Sequence, residues 1–210
     1  MGYDPQKHHR RSIRLKGYDY TRAGAYFVTL VTRGRECWFG HIIDGEMVLN
    51  EMGKICADAW LWLAIQYDYV DLDEWVVMPN HLHGIIVITD DVGATGTGGS
   101  HGWDGSRRWD DSHRRGGSHR RGGSRTAPTA KRKPLGRLIG AFKTVSTKRI
   151  NEIRQTPGET VWQRNYYERI IRNETELNRI REYIINNPAK WEMDRENPED
   201  RYRRYGNRPN

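Results

Sequence analysis

One stretch of this 210-residue chain, from Val92 to Lys133, cannot contribute to a hydrophobic core. It is built mostly of Gly, Ser, Arg, Thr and His, and it holds a perfect six-residue repeat, Ser112-His-Arg-Arg-Gly-Gly117 followed by Ser118-His-Arg-Arg-Gly-Gly123. Such a segment buries too little apolar surface to offset the entropy of ordering it. Whatever folds must therefore be assembled from the blocks on either side. The chain is too short for two large domains, so the blocks are expected to form one. The expected organisation is a basic arm over residues 1–25, a single domain over 26–190 interrupted by a disordered basic insert at 91–133, and a polar tail at 191–210.

Charge follows the same division. The net charge is +8 and the pI is near 9.6, which makes a polyanionic partner such as nucleic acid plausible. Residues 101–133 alone carry 10 basic and 3 acidic side chains, and so supply +7 of that excess. The insert reads as a weak phosphate-binding tether or as a tolerated repeat expansion. Mean hydropathy is −0.91, and the longest apolar runs (Ile85 to Ile88, Trp60 to Ile65) are far too short to span a bilayer, so no membrane association is expected. No apolar run follows the basic N-terminus, so no secretory signal is expected either. Two cysteines, Cys37 and Cys56, make no disulfide framework or metal-type spacing, and a reducing cytoplasm is the expected setting.

The folding blocks give a definite order of elements. Tyr26 to Thr32 is rich in β-branched and aromatic residues and predicts a strand. Asp44-Gly45 between Ile42-Ile43 and Met47-Val48-Leu49 predicts a hairpin. Asn50 is placed to cap a helix from Glu51 to Tyr67, with Ile55, Ala59, Trp62 and Leu63 as its apolar stripe. Val70 to Met78 and Leu82 to Thr89 read as strands joined by the Pro79-Asn80 turn. After the insert, Leu135, Leu138, Ile139, Phe142 and Val145 fall at helical spacing, with Lys143, Lys148 and Arg149 on the polar face. Trp162 to Arg172 reads as extended, and Asn173 caps a helix from Glu174 towards Asn186, stopped by Pro188. The order predicts an α+β, ferredoxin-like βαββαβ sandwich with a four-stranded antiparallel sheet, plus a C-terminal helix. That fold serves many functions, so function has to come from a site.

The sharpest chemical signal is His81-Leu82-His83 at the start of the third main strand. Residues i and i+2 of a strand point to the same face, so two imidazoles there can share one metal ion. Ordinary hydrogen-bonded histidines are the plainer reading, and two imidazoles do not complete a divalent site. On the last helix, Arg179, Tyr183 and Asn187 form one stripe, beside the apolar stripe Leu177, Ile180 and Ile184. Tyr183 therefore lies at the edge of the buried face. Its phenol needs a nearby cation to act as a nucleophile, and Asn187 offers a neutral oxygen ligand. Packing alone would also account for Tyr183.

Met78-Pro-Asn-His-Leu-His-Gly84 resembles the signature of the single-tyrosine HUH transposases. Trp162-Gln-Arg-Asn-Tyr-Tyr-Glu-Arg-Ile-Ile-Arg172 and Tyr183-Ile-Ile-Asn-Asn-Pro188 resemble one branch of that superfamily, the transposases associated with repetitive extragenic palindromes (REP). Arg11-Ser-Ile-Arg-Leu-Lys-Gly-Tyr-Asp-Tyr20 is similar too. The resemblance spans roughly residues 10–90 and 134–191.

The resemblance implies that His81 and His83 bind a divalent metal, Mg or Mn, that Asn187 is the third ligand and that Tyr183 is the nucleophile. In related insertion-sequence enzymes that third ligand is more often Gln. The implied reaction is cleavage and rejoining of single-stranded or hairpin DNA through a 5′-phosphotyrosine. Arg10, Arg11, Arg14 and Lys16 in the arm, and Lys143, Lys148, Arg149 and Arg179 later, are then expected DNA contacts. Tyr18, Tyr20 or Trp162 would stack on unpaired bases. A homodimer and a monomer are both compatible with the resemblance. Two alternatives share the constellation: a domesticated nucleic-acid-binding protein without activity, and a relaxase- or replication-initiator-like nickase.

Overall fold

The computed structural model describes Leu15, residues 17–90 and residues 132–199. Residues 91–131 of the basic insert and most of the N-terminal arm lie outside the described residues. Among the described residues, six strands and three α-helices follow in the expected order: β1 (Gly24–Val31), β2 (Gly40–Ile43), β3 (Glu46–Leu49), α1 (Glu51–Gln66), β4 (Val70–Val77), β5 (His81–Ile88), α2 (Leu135–Arg154), β6 (Tyr167–Ile171) and α3 (Glu174–Ile185). The main sheet runs β4-β5-β1-β6 with every pairing antiparallel, which is the ferredoxin-like arrangement. β2 and β3 form the separate hairpin. Asp44 and Gly45 both take positive φ, 50° and 79°, as a two-residue hairpin turn of this hand requires.

Local chemistry explains the helix starts. Asn50 Oδ1 accepts from the Gly53 N–H at 3.0 Å, and Asn173 Oδ1 accepts from the Glu176 N–H at 2.8 Å. Two expectations shift. In α1 the buried stripe runs through Ile55, Cys56, Ala59, Trp60 and Leu63, and Trp62 is only half-buried, because the sheet takes the face centred on Trp60. The strand expected from Trp162 is confined to Tyr167–Ile171, with Trp162 held in a single bridge to Thr32. Its indole instead enters the core and donates to Ser146 Oγ at 2.9 Å.

Strand alternation divides the sheet into two unlike faces. One face carries Tyr26, Val28, Leu30, Leu82, Ile86 and Ile88 and is covered by α1 and α2, making the main core with Trp60, Leu63, Leu138 and Phe142. Gly84 belongs to this face: a Cβ there would meet the Trp60 ring at 2.5 Å, so the strand must lack a side chain where the indole crosses it. The other face carries Phe27, Thr29, His81, His83 and Ile85. Its buried apolar cluster consists of Phe27, Ile85, Ile180 and Ile184, supplied by β1, β5 and α3.

α3 is also tied down by charge. β4 slips register between Leu72 and Trp75, and Asp73 within that irregularity receives Arg181 in a two-pronged contact, Nε to Oδ1 at 2.8 Å and Nη2 to Oδ2 at 2.6 Å. This pair ties α3 to β4 two residues before Tyr183.

Candidate functional site

His81 and His83 open β5 on the α3 side of the sheet, and both are buried. Each ring is oriented through Nδ1. Asn80 Nδ2 donates to the carbonyls of Arg35 at 2.9 Å and Glu196 at 2.7 Å, which fixes its amide. Asn80 Oδ1 must then accept from His81 Nδ1–H, 2.9 Å away, leaving a lone pair on His81 Nε2. His83 Nδ1 lies 2.8 Å from Thr29 Oγ1, across the β1–β5 pairing. The two Nε2 atoms face one another at 3.0 Å. Outer partners that leave Nε2 to face a shared point are the usual support of metal-binding imidazoles.

Electrostatics keep both rings neutral. Burial pushes the His81 pKa down to about 3, opposed by the Asn187 side chain beside it. Burial also pulls His83 well below its ordinary value, helped by neighbouring His81 and opposed by Asp194. Neutral imidazole is the ligand form.

Tyr183 projects from α3 into this site, its hydroxyl 3.2 Å from His83 Nε2. Its ring stands edge-on to His83 at 5.1 Å and to Phe27 at 6.0 Å. The residue is 45% exposed, at the border of the apolar contact as its helical position predicts. Burial raises its pKa, with Asp194 adding to the rise and Asn187 opposing it. The phenol is thus protonated in this arrangement, and a cation at the imidazoles would oppose that rise.

Asn187 reaches the site from just beyond α3, where it heads the short 3-10 turn Pro188–Met193. It is 2% exposed, and its Oδ1 is buried without a hydrogen-bond partner. Asp194 follows that turn and was not singled out by sequence reasoning. One ligand atom each from His81, His83 and Asp194 fall within 4.8 Å of one another. Asn187 Nδ2 donates to Asp194 Oδ2 at 3.4 Å, while Asp194 Oδ1 accepts the Glu196 N–H at 2.7 Å. Arg35 Nε binds Glu196 Oε2 at 2.7 Å and so secures the turn.

The donor set fits a divalent ion. It offers two neutral imidazole nitrogens, one orphaned amide oxygen and one carboxylate. The two Nε2 atoms, 3.0 Å apart and each turned to the other by a partner at Nδ1, are close enough to share one ion. The mixture of imidazole and oxygen suits several divalent metals.

The expected DNA contacts are not gathered here. Arg10, Arg11, Arg14 and Lys16 lie outside the described residues. Lys143, Lys148 and Arg149 sit on α2, across the sheet from the histidines. Lys143 is turned inward: Nζ donates to the carbonyls of Gln163 at 2.7 Å and Asn165 at 3.2 Å, and burial pulls its pKa down to about 8. Arg149 lies 3.9 Å from Asp58. Lys148 is exposed beside a cleft of about 870 Å³ along α2. Arg179 alone of the four shares an element with Tyr183. Of the expected stacking residues, Trp162 is core, and Tyr18 and Tyr20 are half-buried in a cluster with Tyr26.

No family model matches the chain. An uncharacterized protein of Haemophilus influenzae is 39% identical over 195 residues, covering 91% of this chain and 95% of its own. The solved structure of a REP-associated tyrosine transposase bound to a REP hairpin superposes with a TM-score of 0.52, at 15% identity, over 87% of this chain and 74% of that one. The chain therefore belongs to one family with that H. influenzae protein, and it has the fold of the REP-associated tyrosine transposase whose motifs its sequence resembles.

Proposed function

We propose that this protein is a metal-dependent transposase that cleaves and rejoins single-stranded DNA at hairpin elements, with Tyr183 as nucleophile. The observation that carries the reading is the Tyr183 hydroxyl at 3.2 Å from His83 Nε2, which itself faces His81 Nε2 at 3.0 Å. A packing tyrosine has no need of a paired-imidazole site, and two mutually facing imidazoles have no structural use that a single hydrogen bond would not serve.

His81, His83, Asn187 and Asp194 would hold the ion, which supplies charge stabilisation at the scissile phosphate and favours the phenolate. Tyr183 Oη attacks phosphorus, the bond to the 3′-oxygen breaks, and a 5′-phosphotyrosine forms. The phenol proton passes to solvent at its exposed edge, and the departing 3′-oxygen is protonated from the same side. One P–O bond is exchanged for another, so attack by the 3′-hydroxyl reverses the step without a nucleotide cofactor. Thr29 and Asn80 keep the imidazoles aimed; Phe27 and Ile184 set the height of the phenol.

The test is a labelled single-stranded hairpin incubated with Mg²⁺ or Mn²⁺ and assayed for a covalent protein–DNA adduct. The wild type is expected to form it. Binding without an adduct would favour a non-catalytic DNA-binding protein. Mn²⁺ titration of Asp194→Asn, followed by calorimetry or electron paramagnetic resonance, is expected to show at least tenfold weaker binding. Unchanged affinity would remove Asp194 from the ligand set.

A further inference from the structure

Tyr167 is the aromatic side chain that the site leaves open. It begins β6, the outer strand of the sheet, and is 50% exposed. Register places it opposite Thr29, which is itself opposite His83, so Tyr167, Thr29 and His83 form one row on one face of the sheet. Two strand spacings separate Tyr167 from His83, about 10 Å. Phe27 stands between the two half-exposed tyrosines, 6.1 Å from Tyr167 and 6.0 Å from Tyr183, and meets both nearly edge-on. Neither phenol is stacked parallel on Phe27.

A groove of about 630 Å³ with Tyr167 in its lining runs along β6 and the first turns of α3. Tyr167, Arg169, Arg172, Glu176 and Arg179 are among the residues that line it. Arg169 is engaged by Glu176 at 2.6 Å. Arg172 and Arg179 are exposed, and Arg179 lies one helical turn before Tyr183 on the same face of α3. The groove therefore carries a half-exposed aromatic ring and exposed guanidiniums, and Arg179 in its lining lies one helical turn from the nucleophile. Leu15 and Tyr20 also line it.

We propose that this groove is the track for unpaired DNA flanking the scissile phosphate, in which one base stacks on Tyr167 and the adjoining phosphates are met by Arg179 and Arg172. The proposal rests on the strand-cleavage reading and adds the path of the substrate. An aromatic face takes an unpaired base and arginine takes phosphate, so a single strand satisfies both. A duplex would keep its bases away from Tyr167.

The experiment uses the full chain and a hairpin whose single-stranded flank carries a fluorescent adenine analogue at successive positions, with chelator present so that nothing is cleaved. Stacking quenches such a base. One flank position is expected to be quenched on binding. Tyr167→Ala should lose that quenching and bind the flanked hairpin about tenfold more weakly, whereas Tyr167→Phe should keep both. Arg172→Ala and Arg179→Ala should each lower the salt slope of binding by about one. A Tyr167→Ala protein with the wild-type quenching pattern and affinity would overturn the track. A separate adduct assay with metal reports on cleavage. Tyr167-dependent quenching without any adduct would support the track while removing the cleavage reading; an adduct with no Tyr167 dependence would do the reverse.

Discussion

The two faces of the four-stranded sheet are made from the same strands and put to different uses. Under α1 and α2 the residues are large, apolar and closed, and the fit is tight enough that Gly84 must yield its side chain to Trp60. Under α3 the buried apolar cluster is only Phe27, Ile85, Ile180 and Ile184, and it borders three buried polar side chains, Thr29, His81 and His83. The first face provides stability by burying area. The second is covered over only part of its width, which leaves room for two oriented imidazoles and a half-exposed phenol. Rigidity on one side lets the other hold groups that a closed core would exclude.

This contrast predicts that changes on the two faces have opposite signatures. Tyr183→Phe should produce the largest functional effect: complete loss of the covalent adduct, with hairpin affinity and thermal midpoint close to wild type, read by gel and by melting. An adduct surviving that change would end the nucleophile assignment. Trp60→Ala, on the closed face, should cost about 3–5 kcal/mol in urea unfolding. A small cost there would mean that the main core is not where the stability lies.

The histidine pair adds a pH signature. Both imidazoles have folded pKa values below the unfolded value, His81 at about 3. In that window the unfolded chain binds more protons, so metal-free stability is fully present above about pH 6.5 and falls as pH drops towards 3, by at most about 1.4 kcal/mol per pH unit for each ring. Urea midpoints measured from pH 7 to pH 4 should show this slope, and His81→Gln should flatten it. The smallest effect belongs to the helix anchor. Arg181→Ala should cost only about 1 kcal/mol, since the pair is partly exposed. It should also slow adduct formation, because α3 aims Tyr183. Equal adduct rates would show that Ile180 and Ile184 position the helix unaided.

Much of this was legible in the chain before any folding. The alternation of β5 places His81 and His83 together and Leu82 opposite. The caps Asn50 and Asn173, the Asp44-Gly45 turn and the edge position of Tyr183 are local properties of spacing and side-chain chemistry. Side-chain placements that differ from expectation share one cause: the stripe of α1 centres on Trp60 rather than Trp62, Trp162 enters the core, and Lys143 turns inward. In each case helical or strand period identifies a face but not what lies against it. Lys143 bends to the carbonyls of Gln163 and Asn165, which no pattern within α2 foretells.

The sequence by itself determined the element order, the antiparallel ferredoxin-like sheet, the same-face placement of His81 and His83 and the edge position of Tyr183, because period-2 and period-3.6 patterns and caps act within a few residues of chain. Only the tertiary structure decided which groups meet the imidazoles. Thr29 arrives by strand register, Asp194 by the path of the turn after α3, and Tyr183 by the packing of α3 on the sheet. These are contacts between distant parts of the chain, set by how layers pack, and packing is a property of the whole domain rather than of any segment in it.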